Sequence, residues 1–321
     1  MQNLNQIISE AKSRIDNSQN ILVTSHIRPD GDAVGAVLGL GIALLAKGKN
    51  VQMILVDGVP AVYSLLPGRH FVHEKPVSDY ELVIVLDSSD FNRFGKFLDS
   101  SKPPDINIDH HLTNEKFADI NIVFPEAAST TEILARYLPL LGLQITKDVA
   151  QNLLLGIITD TIGFRTHSVT PETMRIAADL MEVGADLPLL YMNALNRRSF
   201  SAIKFWSYGL SRLEHQGEIV WTRLTMHDRN ASGYSGRDDA DLINILSTIE
   251  EAKVNLIFVE QPNGHVKVSW RSTPDYDVSK VAKLYGGGGH AAAAGADVAG
   301  NLDIICQEII KKTNEVLFNN H

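Results

Sequence analysis

The stretch that decides the fold is residues 20–47, which read NILVTSHIRPDGDAVGAVLGLGIALLAK. The opening NILVT is largely apolar and contains β-branched side chains, which predicts a buried strand. From about Gly31 to Lys47 the chain is rich in alanine, leucine and glycine, and we interpret this part as a helix. A polar segment with one histidine and one aspartate, SHIRPD, separates the two elements, and a second aspartate, Asp32, lies at the helix start. Strand, polar turn and helix in this order are typical of a β-α-β unit, which predicts a parallel sheet.

The same alternation continues through the first half of the chain. Apolar, β-rich runs predict further strands at residues 51–56, 81–87 and 105–109. Helical patterns predict further helices at residues 129–141 and 171–183. The run LLLGIIT at residues 153–159 is apolar enough for a buried strand or a buried helix, and its periodicity does not distinguish the two. The first half is therefore expected to form a parallel sheet with helices on both faces.

The pattern changes after residue 187. Residues 187–213 are helical in pattern without strands, as expected of a connector. Strands and helices then resume, with strands at residues 218–226, 254–260 and 265–271 and helices at residues 239–249, 278–284 and 302–318. We therefore predict an α/β protein in three parts: a parallel-sheet domain at residues 1–188, a helical connector at residues 189–213 and a smaller α/β domain at residues 214–321.

Composition limits the compartment and the partners. The 321 residues carry a net charge of −9 and a single cysteine, Cys306, which fits a reducing, cytoplasmic compartment. No apolar run reaches the roughly 18 residues of a membrane span, so no membrane partner is expected. Proteins that coat long nucleic acids need a basic surface. We therefore expect short single-stranded RNA or small phosphorylated nucleotides as partners and no long nucleic acid; a homodimer is left open.

Four polar clusters each follow an apolar run. Ligands of open parallel sheets bind beyond the carboxyl ends of the strands, so clusters at successive strand ends are expected to meet at one edge. A lone aspartate after a strand is usually a turn or a helix cap. Four clusters in one half of the chain instead favour a shared site. Their acidic and histidine residues are His26, Asp30, Asp32, Asp87, Asp90, Asp109, His110, His111 and Asp160.

The charges of these clusters predict bound cations. Two carboxylates about 4 Å apart repel by about 4 kcal/mol at an effective dielectric constant of about 20, so several cannot stay ionised together without cations. Oxygen and imidazole donors without a thiolate suit Mn²⁺, with Mg²⁺, Zn²⁺ and Co²⁺ as alternatives. Six ligands serve two ions only if one carboxylate bridges them, an arrangement typical of phosphoryl-transfer sites. The predicted ligands are His26, Asp30, Asp32, Asp87, His110 and Asp160.

The second half contains a strand with one polar face. In residues 265–271, HVKVSWR, the apolar side chains alternate with Lys267, Ser269 and Arg271. Arginine is suited to bidentate phosphate binding. A polar strand face can also be merely solvated, and this alternative stays open on spacing alone.

A glycine run follows near the end of the chain, where residues 286–295 read GGGGHAAAAG. Consecutive glycines are costly to order and are expected where backbone N–H groups approach an anion at a helix start. A flexible linker is the alternative. We favour a ligand loop because a histidine and an alanine-rich helix start follow at once. The predicted substrate-binding residues are Arg271, Ser269, Gly286, Gly287, Gly288, Gly289 and His290.

These motifs resemble those of the DHH phosphoesterase superfamily. Its motifs correspond here to SHIRPDGDAVG, VLDSSD, the Asp109-His110-His111 triplet and GIITDT, while GGGGHAAAAG resembles the domain commonly attached to that catalytic module. The match covers nearly the whole chain, and its layout is similar to the bacterial oligoribonuclease and 3′-phosphoadenosine 5′-phosphate phosphatase group. In one departure, Ile162 stands where the family often has glycine, which affects the expected loop shape.

The resemblance implies a role for each matching residue. His26 and Asp30 would hold one ion, and Asp32 and His110 the other, with Asp87 as the bridge and Asp160 completing the shell. The catalytic residues would be Asp87, His111 at the scissile phosphate or leaving group, and Asp109 as the residue that orients the histidines. The arginine and the glycine loop of the second domain would bind the substrate end away from the metals.

The implied function is hydrolysis of short oligoribonucleotides to mononucleotides and of 3′-phosphoadenosine 5′-phosphate to AMP. A cyclic-dinucleotide phosphodiesterase would use the same catalytic module. A single-strand DNA exonuclease would need a further binding domain, and an inorganic pyrophosphatase would not need the glycine loop. A non-catalytic nucleotide sensor is the alternative from another class, although all the expected ligands are present.

Overall fold

A computed structural model describes residues 4–94, 97–98 and 102–318. The chain divides into two compact units, Met1–Arg197 and Arg198–His321. Both combine helices and strands, which confirms the predicted α/β class. The finer division at residues 188 and 213 stays a prediction. No helix in the described part of the chain is both long and apolar enough to cross a membrane.

The first unit contains a six-stranded sheet in which all neighbouring strands are parallel. Its strands are β1 (Asn20–Thr24), β2 (Asn50–Ile54), β3 (Val72–His73), β4 (Leu82–Leu86), β5 (Ile106–Asp109) and β6 (Ile120–Val123). Their order is β3-β2-β1-β4-β5-β6. The four predicted strands are all present. The two edge strands β3 and β6 escaped prediction because they are too short for a clear apolar pattern.

Helices accompany the sheet of the first unit. They are α1 (Leu4–Asn17), α2 (Gly31–Ala46), α3 (Thr130–Tyr137), α4 (Lys147–Asp160), α5 (Pro171–Val183) and α6 (Leu187–Tyr191), and a π-helical turn follows at Met192–Asn196. Helix α2 carries no charged residue after Asp32, and nearly all of it is buried in the core. Residues 153–159, which the sequence left open between strand and helix, belong to helix α4.

The second unit contains a mixed six-stranded sheet. Its strands are β7 (Glu214–Gln216), β8 (Ile219–Leu224), β9 (Val254–Glu260), β10 (His265–Ser272), β11 (Gly288–His290) and β12 (Ala293–Ala299), in the order β11-β12-β10-β9-β8-β7. Only β8 and β9 pair in parallel. Its helices are α7 (Phe200–Leu210), α8 (Met226–Ser232), α9 (Leu242–Leu246), α10 (Ser279–Leu284) and α11 (Leu302–Leu317).

One secondary-structure prediction in the second unit is wrong. The alanine-rich segment after the glycine run is not a helix start but strand β12, which pairs with β10 on one side and β11 on the other. Alanine favours helices only weakly, and sheet pairing with two neighbours overrides that preference. The alternation predicted for β10 is correct, since Val266, Val268 and Trp270 are fully buried against the core.

Candidate metal centre

His26 lies just beyond the carboxyl end of β1 and is buried. Its Nδ1 lies 2.9 Å from the carbonyl oxygen of Ile27. Because a carbonyl can only accept, Nδ1 carries the proton and donates, and Nε2 is left as the ligand atom. That Nε2 lies 3.4 Å from Oδ2 of Asp87 and 3.9 Å from Oδ2 of Asp30. The imidazole therefore faces two carboxylates with Nε2, the nitrogen from which an arriving ion would displace a proton.

The start of helix α2 positions the two aspartates of the first cluster. Asp30 is the N-cap, and its Oδ1 accepts hydrogen bonds from the backbone N–H groups of Asp32 and Ala33, both at 3.0 Å. Capping thus uses Oδ1 and leaves Oδ2 directed towards His26. Asp32 follows in the first turn and is buried. One helix terminus therefore supplies two carboxylates in fixed orientations.

Asp87 occupies the middle of the cluster. It directly follows β4 and has a φ of 52°, a left-handed conformation that aspartate tolerates better than most residues. Its Oδ2 faces His26, while its Oδ1 lies 3.6 Å from Nε2 of His110. The two oxygens of one buried carboxylate therefore point to histidines of two different clusters.

Asp160 completes a second group. Its Oδ2 lies 3.4 Å from Nε2 of His110. Three sets of ligand atoms each lie within 4.8 Å of one another: His26, Asp30 and Asp87; Asp32, His110 and Asp160; and Asp87, His110 and His111. The structure thus brings together all six residues predicted as ligands. One premise was wrong, because Asp160 is the last residue of helix α4 and not the end of a strand.

The loop after Asp160 shows what replaces the family's usual glycine. Ile162, Gly163 and Phe164 all have positive φ, at 50°, 73° and 64°. The backbone conformation that glycine adopts freely is therefore kept here with a β-branched residue, at a cost in strain.

Close packing of helices α2 and α4 brings the clusters together. A Cβ on Gly31 would lie 2.5 Å from Cγ2 of Thr159, and a Cβ on Gly156 would lie 2.7 Å from Oδ1 of Asp32. Contacts this short do not occur, so only glycine permits the approach. These two glycines therefore allow the helix that ends at Asp160 to pack closely against the helix that carries Asp32.

The electrostatics of the cluster match a cation site. Burial lowers the pKa of His26, but the hydrogen bond and charge of Asp87 and the charge of Asp30 outweigh it and raise that pKa to about 9. Burial and the Asp87 charge raise the pKa of Asp32 to about 7. Burial and the neighbouring carboxylates also raise the pKa of Asp160 well above its usual range. Asp87 differs, because burial raises its pKa but the hydrogen bond of His26 and the charges of the three histidines outweigh burial and lower it. Asp32 and Asp160 are thus difficult to ionise beside an ionised Asp87, and divalent cations would relieve this repulsion.

His111 lies beside the cluster, with Nδ1 3.7 Å from Oδ1 of Asp87, and also takes part in a hydrogen-bond chain. Its Nδ1 donates to Oδ1 of Asp109 at 2.7 Å, and Oδ2 of Asp109 accepts from Nδ2 of Asn114 at 2.6 Å. Nδ2 of Asn114 also lies 2.8 Å from Oδ1 of Asn107. Burial lowers the pKa of His111, but Asp109 and Asp87 raise it above the ordinary value. The chain fixes the ring, and the sequence analysis did not single out Asn114.

Helix α3 also reaches the cluster, which the sequence analysis did not foresee. Its first residues, Thr130 and Thr131, donate hydrogen bonds to Asp32 and Asp87. The sequence STTE at residues 129–132 does signal a helix start, with Ser129 as N-cap. Nothing in the sequence indicates that this helix end lies against an aspartate about 100 residues earlier.

The predicted substrate-binding residues lie on neighbouring strands of the second unit. Arg271 pairs with Ala293, which in turn pairs with His290 on β11. Ser269 pairs with Gly295 in the same way. Residues directly opposite in antiparallel strands project to the same face, so Arg271 and His290 flank the small Ala293 side chain. Nε of Arg271 is buried, and among the described residues it has no hydrogen-bond partner.

The glycine run is explained in part by packing. A Cβ on Gly287 would lie 2.7 Å from Cβ of Ala296 and closer still to a carbonyl of β12, and Gly286 and Gly289 have φ of 71° and 137°. A Cβ on Gly288 would meet no heavy atom within 4 Å. Three of the four glycines are thus required by the hairpin itself. The residues directly after the glycine run form strands and not a helix, so the predicted anion site at a helix start is wrong. Gly288 and Gly289 instead belong to β11, the strand at the edge of the sheet.

Comparison with known protein families matches both units. The model of the DHH family, N-terminal domain, matches residues 20–157, and that of the DHHA1 domain matches residues 227–317. The first match includes every residue of the metal cluster except Asp160. The second includes Arg271 and the glycine run.

Individual proteins agree with the family models. The chain is 33% identical to the bifunctional oligoribonuclease and PAP phosphatase NrnA of Thermus thermophilus over 92% of this chain and 90% of the relative. It is 28% identical to the protein of the same name from Mycoplasma genitalium, with 95% and 97% covered. The crystal structure of an exopolyphosphatase-related protein from Bacteroides fragilis superposes with a TM-score of 0.89 at 25% identity, covering 96% of each chain. The chain therefore belongs to the DHH family of phosphoesterases, with a DHH N-terminal domain followed by a DHHA1 domain.

Proposed function

We propose that this protein is a divalent-cation-dependent phosphoesterase that hydrolyses short oligoribonucleotides to mononucleotides and 3′-phosphoadenosine 5′-phosphate to AMP. The observation that carries the proposal is the position of Asp87, whose two oxygens face His26 and His110. Its substrates are proposed from relatives named as oligoribonucleases and PAP phosphatases that align over nearly the whole chain.

The donor set fits a pair of ions. We propose that His26, Asp30 and Asp87 hold one cation, and that Asp32, His110, Asp160 and the other oxygen of Asp87 hold the second. Oxygen and imidazole donors suit Mn²⁺, with Mg²⁺, Zn²⁺ and Co²⁺ as the ions to compare. Bound cations would polarise the phosphoryl group and make a water molecule nucleophilic at neutral pH.

His111 is proposed to act on the substrate. Because Nδ1 donates its hydrogen bond to Asp109, we propose Nε2 as the atom that contacts a phosphate oxygen or the leaving group. The raised pKa of His111 favours the imidazolium, which can both attract the phosphate and donate a proton. Asp109 would keep the ring in this orientation and Asn114 would hold Asp109 in turn.

The second unit is proposed to bind the remainder of the substrate. Nε of Arg271 has no hydrogen-bond partner within the described part of the chain, and the guanidinium can bind a phosphate. Ser269, His290 and the glycines at residues 286–289 lie on the same strands or on the turn beside them. The open space above Gly288 is where a ligand can approach the backbone. A cytoplasmic location is part of the proposal and rests on the single cysteine of the sequence, whereas a homodimer stays an open alternative.

A substrate panel tests the proposal. The full chain, loaded separately with each of the four ions, is given a diadenylate RNA, a longer RNA, 3′-phosphoadenosine 5′-phosphate, cyclic diadenylate and pyrophosphate. We expect Mn²⁺-dependent release of AMP from the diadenylate and from the bisphosphorylated adenosine. Preferred turnover of cyclic diadenylate would instead identify a cyclic-dinucleotide phosphodiesterase. Nucleotide binding without turnover would identify a sensor.

Two variants connect the activity with the site. Asp87→Asn keeps the shape of the side chain but removes the charge that both ion groups share, so activity should fall by at least about 1,000-fold, or about 4 kcal/mol. Asp179→Asn changes an exposed aspartate on α5 and serves as the control, with activity expected to stay at the wild-type level. Full activity of Asp87→Asn would exclude the proposed centre.

A further inference from the structure

Both oxygens of Asp32 receive hydrogen bonds from the start of helix α3. Oδ1 accepts from the hydroxyl of Thr131 at 2.6 Å and from its backbone N–H at 3.0 Å. Oδ2 accepts from the backbone N–H of Thr130 at 2.7 Å. All three residues are at most 1% exposed, so water does not substitute for these donors. The carboxylate is therefore held by three donors from a single helix terminus.

This pattern limits how Asp32 can bind an ion. Each carboxylate oxygen has two lone-pair directions. Two donors occupy those of Oδ1, whereas Oδ2 receives one donor and keeps one direction open. Asp32 can therefore bind an ion through Oδ2 alone. The hydroxyl of Thr131 occupies the lone-pair direction of Oδ1 that its backbone N–H leaves open.

The hydroxyl of Thr131 is itself held in place. Because it donates to Asp32, it must accept from Oγ of Ser129, which lies 2.8 Å away and caps the same helix. Gly156 on α4 provides the space next to this side chain, since a Cβ there would collide with it. Thr130 acts in parallel, because its hydroxyl donates to Oδ1 of Asp87 at 3.1 Å.

We propose that Thr131 and Thr130 are positioning residues of the metal centre, which set the oxygen through which Asp32 binds its ion and hold the carboxylate of Asp87. This inference rests on the proposed function, because it assumes that cations bind there. Hydrogen-bond partners of metal ligands commonly change metal affinity by about 10- to 100-fold when they are removed. The hydroxyl of Thr131 donates to Asp32, which is a proposed ligand of one ion, so its removal should lower the affinity for that ion. The hydroxyl of Thr130 donates to Asp87, which both proposed ion sites share, so its removal should lower the affinity for both ions.

The experiment is a calorimetric Mn²⁺ titration of the full chain. Thr131→Val removes the hydroxyl, Thr131→Ala does so without placing a methyl group against Asp32, and Thr131→Ser restores it. The control is Thr222→Val in the second unit, which removes an equally buried hydroxyl that donates to the carbonyl of Gly209 at 2.6 Å. Melting temperatures of the ion-free proteins identify general destabilisation.

We expect wild type to bind two Mn²⁺ ions. In Thr131→Val and Thr131→Ala, the Kd for one Mn²⁺ ion should rise by about 10- to 100-fold. In Thr131→Ser and Thr222→Val, both Kd values should stay close to those of wild type. Excess Mn²⁺ should restore much of the lost activity, and wild-type melting temperatures of the ion-free variants would exclude a folding defect as the cause of the loss. Wild-type affinities for both ions in Thr131→Val and Thr131→Ala would overturn the inference alone. Failure of wild type to bind Mn²⁺ would overturn the proposed function.

Discussion

Gly156 offers a sharp test of how helix packing builds the metal centre. It lies in the middle of α4, where alanine is normally the better residue by about 1 kcal/mol. A Cβ at this position would nevertheless lie 2.7 Å from Oδ1 of Asp32 and closer still to the side chain of Thr131. Gly156→Ala therefore directs one methyl group at the hydrogen bond that orients a proposed metal ligand.

The size of the effect follows from that distance. An ordinary contact begins near 3.4 Å, so the Asp32 oxygen must move by about 0.7 Å (3.4 − 2.7). Overpacking of a tight interface costs about 1–3 kcal/mol, which the helix preference of alanine offsets in part. We expect a net loss of about 1 kcal/mol in the free energy of unfolding. A displacement approaching 1 Å in a catalytic site costs about 100-fold in rate.

The assay compares two alanine variants of the same helix pair. Gly39→Ala places a Cβ 2.8 Å from Cδ2 of Leu153, the flexible end of a side chain that does not belong to the site. Both variants are measured by thermal unfolding and by kcat on a diadenylate RNA at saturating Mn²⁺. Gly156→Ala should lose about 100-fold in kcat, while Gly39→Ala should stay within a few-fold of wild type.

Two results would refute this reasoning. Wild-type kcat in Gly156→Ala would mean that Asp32 is not held by this contact or does not serve the reaction. Equal losses of kcat in both variants would mean that general disturbance of the α2–α4 interface, and not the position of Asp32, controls activity.

Three further predictions concern protons, ions and the glycine turn. The pKa values of His26 and Asp32 are raised to about 9 and about 7, so at neutral pH His26 is protonated and Asp32 is protonated in part, and an ion must displace these protons. Calorimetry should show proton release on Mn²⁺ binding and a tighter Kd as pH rises from 6.5 to 8.5, and a pH-independent Kd would contradict the pKa shifts. Mn²⁺ at 100 times its Kd should stabilise the folded protein by about 2.7 kcal/mol per site, and a chelator should reverse the rise in melting temperature. Gly288→Ala should fold normally, because no heavy atom lies within 4 Å of the added Cβ, and it should raise KM for RNA. Gly287→Ala should instead destabilise the hairpin by about 1–3 kcal/mol. An unchanged KM in Gly288→Ala would show that this residue does not contact the substrate.

Much of the first unit could be predicted from local sequence. The apolar run of β1 and the alanine- and leucine-rich pattern of α2 predict a β-α unit. The segment between them contains Asp30, which is the N-cap of α2. The alternating pattern of β10 likewise predicted which side chains are buried. Such features depend on residues close together in the chain, where periodicity and capping act directly.

Other features could not be inferred locally, and the errors have a common cause. Residues 153–159 read equally well as strand or helix, and residues 291–294 looked helical but form a turn and the start of strand β12 at Ala293. In both segments, contacts with elements distant in the chain determine the secondary structure. Gly156 lets α4 pack against α2, and β12 forms hydrogen bonds with β10 and β11. Local preference amounts to less than about 1 kcal/mol per residue, which packing and sheet pairing easily exceed.

The sequence alone determined the kinds of donor that this protein has and the turns on which they lie. Only the tertiary structure decided which oxygen of Asp87 faces which histidine, that Asp160 arrives on a helix, and that Thr131 closes one side of Asp32. The physical reason is that a strand or a cap depends on neighbours a few residues away. The direction of a carboxylate lone pair depends instead on contacts with residues about 100 positions distant, and the chain encodes these only through the packing of whole helices.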